Sequence, residues 1–242
     1  MSVKPPPERN QLLKALPTTV RERLFAHLEL VELPLGNVLY ESGDVLGHVY
    51  FPTDCIISLL HEIKNGGTAQ ISVVGNDGIL GIPLFMGGES TPGRAVVQSP
   101  GSAYRLRAPL LKKEFSRHDG PLQMLLLRYT QGLITQMAQT AVCNRLHTLD
   151  QQLCRWLLLS LDRLPTNQLN MTQDQIANNL GVRREGVTEA AGKLQKLGVI
   201  RYCRGEITVL ERARLEELAC ECYAVVRCET DRLRPRAAKS EA

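Results

Sequence analysis

The sequence predicts an α+β chain in three parts: an N-terminal β jelly roll, a long dimerisation helix and a C-terminal winged helix-turn-helix. Three observations predict it. Residues 30–107 break into short β-type runs punctuated by Gly, Pro and Asn. From Pro121, apolar residues recur at helical spacing for about 25 residues, roughly 37 Å of helix. Residues 171–197 read as two short helices around a tight turn, followed at once by a small hairpin. The implied boundaries are 1–120, 121–147 and 148–242.

The first part opens with a short helix, Thr18 to Leu28. The runs VELPLGNVLYESGD, HVYFP, CIISLLHEI, GTAQISVVG and RAVVQ follow. Turn signals recur between them at Gly36-Asn37, Ser42-Gly43-Asp44, Asn65-Gly66-Gly67, Gly75-Asn76-Asp77-Gly78, Gly87-Gly88 and Pro100-Gly101. Short strands at regular spacing indicate a sandwich or jelly roll. A helix from Leu110 to Arg117 closes this part and stops at His118-Asp119-Gly120.

Pro121 then opens the long helix at its favoured first position. Leu122, Leu126, Tyr129, Leu133 and Met137 form one apolar stripe, and Thr140 continues it. Leu127, Ile134, Ala138 and Val142 form a second. A helix apolar on two sides needs two packing partners. The β-domain is one; the same helix of a second chain, in a parallel coiled coil, is the other. Leu122, Leu126, Tyr129, Leu133, Met137 and Thr140 are taken as the dimer face. A second helix, Leu149 to Leu164 with Trp156 in its apolar face, ends at Pro165-Thr166-Asn167. The join at residues 144–149 is the natural hinge.

In the third part, Thr172 can cap a helix, with Gln175 as capping-box partner. Gly181 sits where a helix stops in the left-handed conformation. Val187, Ala190, Ala191, Leu194 and Leu197 give the second helix its apolar face. The hairpin pairs Val199–Tyr202 with Ile207–Leu210 around Arg204-Gly205. Residues 183–204 hold six Lys/Arg against two Asp/Glu, whereas the whole chain is only +4. The positive charge is therefore local, as phosphate contact requires. Thr172, Gln173, Arg183, Arg184, Glu185, Thr188, Glu189, Lys193, Arg201 and Arg204 are the candidate DNA contacts. The alternative is a ligand-binding or protein-interaction module whose winged helix contacts protein instead of DNA.

Composition excludes other classes. No stretch of 18 apolar residues exists, so no membrane span is expected. MSVKPPPERN has no apolar core of a secretory signal. Seven irregularly spaced cysteines indicate a reducing cytoplasm, not a disulfide framework. Pro5-Pro6-Pro7 and the tail after Arg234 are expected to be loose ends. No Ser/His/Asp set, P-loop or H-E-x-x-H pattern is present, and His27, His48, His61, His118 and His147 are scattered, so an enzyme is not expected.

The order of parts resembles the Crp/Fnr family of bacterial transcription regulators from about Leu12 to Leu210. The resemblance is most specific in TQDQIANNLGVRREGVTEAAGKLQKLGVI, which is similar to the family's T-x-x-x-I-A-x-x-L-G-x-x-R-E-x-V-x-R-x-L-x-x-L-x-x-x-G-x-I. It implies a homodimer on a palindromic operator in double-stranded DNA, with RNA polymerase as a further candidate partner. Arg184 and Glu185 fall on the base-reading pair, Arg suited to guanine and Glu to the cytosine amino group. Gln173 falls on a phosphate contact. The family's later Arg is Glu189 here, which repels phosphate unless it reads a cytosine or pairs with a neighbouring arginine.

The same resemblance argues against cyclic AMP. No Glu follows Gly78 or Gly81. Arg94 directly precedes Ala95, one position closer than in cyclic-nucleotide binders, which flips its side chain across the strand if register holds. Met137 and Ala138 stand where relatives place a Thr-Ser pair against the purine. Arg94, Met137 and Ala138 thus mark a candidate effector pocket of unknown ligand, a cyclic dinucleotide being one option. Residues 1–54 lack the cysteines of iron–sulfur relatives. His48, His61 and Cys55 leave haem ligation open. Cys220, Cys222 and Cys228 lack an adjacent His, and on a helix the first two point about 200° apart. They are read as structural, and neither a metal nor a cofactor is expected.

Overall fold

The computed structural model describes residues 4–64, 67–117 and 120–234. The expectations for Asn65, Gly66, His118, Asp119 and the tail beyond Arg234 lie outside the described residues.

The chain starts with a 3₁₀ turn at Pro7–Arg9 and two short helices, α1 (Gln11–Ala15) and α2 (Thr18–Phe25). Buried Asn10 fastens this start. Its Oδ1 accepts from the Leu12 and Leu13 amides at 3.1 and 3.2 Å, and its Nδ2 donates to the Pro52 and Gly78 carbonyls at 3.0 and 2.8 Å. The Pro5 carbonyl accepts from the Tyr104 hydroxyl at 2.8 Å. The proline run is therefore tied down rather than loose, because Asn10 meets every demand of a buried amide.

Seven strands follow: β1 (Glu29–Leu33), β2 (Val38–Tyr40), β3 (His48–Pro52), β4 (Ile56–Glu62), β5 (Thr68–Val74), β6 (Arg94–Ser99) and β7 (Gly101–Arg107). They form two antiparallel sheets, β1-β7-β3 and β2-β6-β4-β5. Ile57, Val74, Leu80, Ala95, Val97 and Ala103 fill the space between them. The run GSAYRLR of β7 has too few apolar residues to announce a strand. Two more helices, α3 (Pro83–Met86) and α4 (Ala108–Phe115), close one end.

Helix α5 spans Pro121–Leu146. Its first stripe is largely taken up inside the protomer, with Met137 and Thr140 half-buried. Leu122, Leu126 and Leu133 are buried, and Leu122, Leu126 and Tyr129 pack with Val49, Phe51, Leu106 and Leu111 in the protomer's own core. Gly78 lies so close to Tyr129 that a Cβ there would meet its hydroxyl at 2.3 Å. The opposite stripe is exposed instead: Met124, Leu127, Ile134 and Val142 are 41–59% accessible. Stripe spacing showed that α5 needs two partners but not which stripe takes which.

Helix α6 (Leu149–Leu161) follows α5 after two intervening residues. Thr148 caps it in a complete capping box with Gln151. It docks on the outer face of the four-stranded sheet through buried polar groups. The Trp156 indole N–H donates to Gln70 Oε1 at 2.7 Å. Gln70 Nε2 donates to Ser58 Oγ and Gln98 Oε1, both at 2.6 Å, and Gln98 Nε2 donates to Ser160 Oγ at 3.2 Å. Just past α6, buried Arg163 pairs with Asp77 at 2.9 Å and donates back to the Leu159 carbonyl at 2.6 Å. That turn ends α6 three residues before the expected Leu164.

The remaining elements are β8 (Gln168–Asn170), α7 (Gln173–Leu180), α8 (Arg184–Lys196), β9 (Ile200–Cys203), β10 (Glu206–Val209), α9 (Arg212–Leu218) and α10 (Glu221–Leu233). A third strand, β8, completes the wing sheet in the order β8-β10-β9. Leu157, Ile176, Val187, Leu194, Ile207 and Leu215 share the core beneath. Helix α10 returns along α5, where Gln131 donates to Glu229 at 3.2 Å. Neither β8 nor α10 is announced by the sequence pattern. Trp156→Phe removes the donor to Gln70 Oε1 and leaves that oxygen buried without a partner. Urea denaturation should show a loss of about 1–3 kcal/mol.

Candidate nucleic-acid interface

Local chemistry sets the helix-turn-helix. Thr172 Oγ1 accepts from the Gln175 amide, and Gln175 reaches back to the Thr172 amide at 2.8 Å. Gly181 ends α7 at φ +68°. The turn restarts at Arg183, the N-cap of α8. Val187, Ala190, Ala191 and Leu194 bury one face of α8. Gly186 permits the close crossing with α6, since a Cβ there would meet Leu149 Cδ2 at 2.7 Å. In the wing turn, Arg204 and Gly205 have φ of +52° and +80°, the paired left-handed geometry that suits a two-residue hairpin.

With its core face fixed, α8 presents the rest to solvent. Arg183, Arg184, Glu185, Thr188 and Glu189 are all exposed, as are Arg201 and Arg204 on the wing. Thr172, Gln173, Arg184 and Arg204 line one open groove between the start of α7 and the wing turn, with Asp174 and Tyr202. Thr188 Oγ1 donates to Gln173 Oε1 at 2.6 Å, which ties the two helices together. Arg184 stands 3.6 Å from Asp174 with both side chains about 60% exposed, so its guanidinium is only lightly held.

Lys193, also expected at the DNA, is paired with two acids in the free chain. Its ammonium lies 3.1 Å from Asp150 on α6 and 3.1 Å from Glu189. Hydrogen bonding to Asp150, then to Glu189, raises its pKa. Its charge is turned toward α6 because Asp150 occupies the first turn of that helix. Glu189 is thereby paired with a cation, a lysine rather than an arginine. The sequence pattern did not single out Lys196, which is exposed. It lies at i+11 from Glu185 and i+7 from Glu189, on the same outward line of the helix.

The candidate effector pocket is a cavity of about 260 Å³ between the four-stranded sheet, α3 and α5. Arg94 and Met137 border it, as do His61, Thr91 and Thr130; Ala138 is not in its wall. Ala95 and Val97 point into the sheet–sheet core, so Arg94 takes the opposite parity. Its Nε sits 3.0 Å from the Glu41 carboxylate. Neither His48 nor Cys55 lines the cavity, and Cys55 is buried between the sheets.

The cysteine expectation needs a correction. Cys220 is the N-cap residue of α10, outside the helix. The 200° argument therefore does not apply, and Cys220 and Cys222 lie in one buried cluster with Cys143. Cys228 is exposed. Among the described residues, no helix is long and apolar enough to cross a membrane.

Comparison with known proteins agrees with this geometry. Residues 151–218 match the model of the Crp-like helix-turn-helix domain. Comparison with curated proteins finds no match. Among solved structures, a protein from Eubacterium rectale described as a transcriptional regulator of the Crp/Fnr family superposes with TM-score 0.66 at 18% identity, over 87% of this chain and 98% of its own. FixK2 from Bradyrhizobium japonicum gives TM-score 0.68 at 17% identity, over 80% and 98%. The c-di-GMP-responsive global regulator CLP of Xanthomonas campestris gives 0.61 at 16%, over 80% and 99%. The chain thus carries a Crp-like helix-turn-helix DNA-binding domain at residues 151–218 and has the fold of the Crp/Fnr transcription regulators.

Proposed function

We propose that the chain is a sequence-specific transcription regulator that binds a palindromic operator as a homodimer and is not controlled by cyclic AMP. One observation carries the reading. Helix α8 is locked on its inner face and exposes Arg183, Arg184, Glu185, Thr188, Glu189 and Lys196 on the outer one. Arg184 and Glu185 read bases; Arg183, Lys196, Arg201 and Arg204 add phosphate attraction.

The dimer surface in this reading is the exposed stripe of α5. Met124, Leu127, Gln131, Ile134, Ala138, Ala141 and Arg145 step by 3, 4, 3, 4, 3 and 4, the seam of a two-stranded coiled coil. Such a seam sets two α8 helices about one DNA turn, ~34 Å, apart. Against cyclic AMP stand Met137 in the cavity wall and the pairing of Arg94 with Glu41. The cavity suits a small molecule with largely apolar surface. Contact with RNA polymerase belongs to the same proposal and rests on the family resemblance.

Selection from random duplex DNA, followed by gel shifts at two salt concentrations, tests the reading. Failure to retain any duplex at low salt would favour the protein-contact alternative. Arg184→Ala should lose about 1–3 kcal/mol of discrimination at one base pair per half-site; equal weakening on every sequence would contradict base reading. Lys196→Ala should make the slope of log affinity against log salt shallower, by about one for each phosphate it no longer neutralises, whereas Lys193→Ala should leave that slope unchanged. Ile134→Glu should give a folded monomer by light scattering. Leu126→Ala should instead destabilise the protomer by about 2–5 kcal/mol.

A further inference from the structure

Four side chains from two distant parts of the chain meet beside the α5–α6 corner. Cys143 and His147 come from the end of α5, and Cys220 and Cys222 from the start of α10. Their ligand atoms all lie within 4.8 Å of one another. Cys143 Sγ is 3.5 Å from Cys220 Sγ, and Cys222 Sγ is 3.5 Å from His147 Nδ1. A tetrahedral zinc ion with Zn–S near 2.3 Å and Zn–N near 2.0 Å sets its ligand atoms roughly 3.5–3.8 Å apart. The three sulfurs are buried.

The surroundings fit an ion at this point. His147 turns Nδ1 inward, while its Nε2 lies 3.2 Å from the Glu221 carboxylate. That is the carboxylate–histidine pairing that fixes a ligand's tautomer and raises its basicity. Gln152 Nε2 donates to the His147 carbonyl at 2.9 Å and to the Cys143 carbonyl at 3.4 Å, so the ligand backbone is held as well. Arg155 supplies an independent observation. It is 5% exposed, and its Nη2 donates to Thr140 Oγ1 at 2.9 Å. Among the described residues, no carboxylate lies within salt-bridge distance of it, and its Nε is buried without a hydrogen-bond partner. A buried cation without a counterion is costly. Zn²⁺ with three thiolates and a neutral imidazole carries one negative charge, which would balance it.

The geometry points to one zinc ion bound by Cys143, His147, Cys220 and Cys222 in a closed site that staples α10 to the α5–α6 corner. Binding displaces three thiol protons to solvent, and His147 ligates neutral through Nδ1. No ligand position remains for a substrate, so the role is structural. A single ion also suits these distances better than an iron–sulfur cluster, whose ligands are divided among separate iron atoms. The ion would fix the corner through which α6 carries α8.

The test is cobalt titration of the full chain, reduced and stripped of metal with chelator. One Co²⁺ per chain should bind with thiolate charge-transfer absorption and the visible bands of a tetrahedral site, and one Zn²⁺ should displace it. Cys228→Ser should bind like the native chain, and Cys222→Ser should lose the thiolate signature. Because a ligand variant can misfold, Glu221→Gln provides the second arm: full stoichiometry, with zinc affinity lowered about 10- to 100-fold. Absence of the bands in a folded chain, an undiminished signature in Cys222→Ser, native zinc affinity in Glu221→Gln, a native Cys143–Cys220 disulfide, or bound iron with sulfide would each overturn the site.

Discussion

The arrangement of this chain depends on a buried hydrogen bond between two amphipathic side chains, Trp156 on α6 and Gln70 on β5. Gln70 cannot be left in the outer face of the sheet unsatisfied, so it organises Ser58 and Gln98, and Gln98 reaches on to Ser160. The Arg163–Asp77 pair reinforces the joint nearby. These contacts hold the helix-turn-helix domain on the four-stranded sheet. The turn of the helix-turn-helix follows, with Gly181 against Ala69 of β5: a Cβ there would lie 3.5 Å from the Ala69 methyl.

A polar joint of this kind has a particular physical character. Each group is matched when docked, and each can be matched by water when apart. Hydrophobic cores lie on either side of it, one beneath α7 and α8 and one beneath α4 and α5. The two domains therefore keep their own cores whichever way the joint stands. The α5–α6 corner is the covalent connection between them, and α10 packs back along α5 beside it. It is short, capped by Thr148 and braced by Gln152. The cavity beside the four-stranded sheet borders α5 near its middle, on the helix that leads to this corner.

Much of this was legible in the sequence because its causes are local. The Thr172 capping box, Gly181 at positive φ and the Arg204-Gly205 turn each follow from neighbouring residues, and all three appear in the structure. The strands of the jelly roll were announced by turn residues, apart from β7. What the sequence could not reveal is which distant surface meets which. Both stripes of α5 are apolar, and only the fold decides that Leu122 and Leu126 face the β-domain. That Lys193 stands beside Asp150 of α6 is likewise set by the fold and not by local spacing. Cys143 and Cys220 are 77 residues apart, and spacing within 220–228 drew attention to Cys228, which takes no part.

Trp156 is the only tryptophan in the chain, so its fluorescence reports the joint without interference. The most direct measurement is acrylamide quenching of the full chain in the absence of DNA, compared with a Gln70→Ala chain. The docked arrangement predicts a well-shielded indole in the native chain and clearly greater quenching once Gln70 is removed. An indole that is freely quenched in the folded native chain, or equally shielded in both, would contradict the joint on which the account rests.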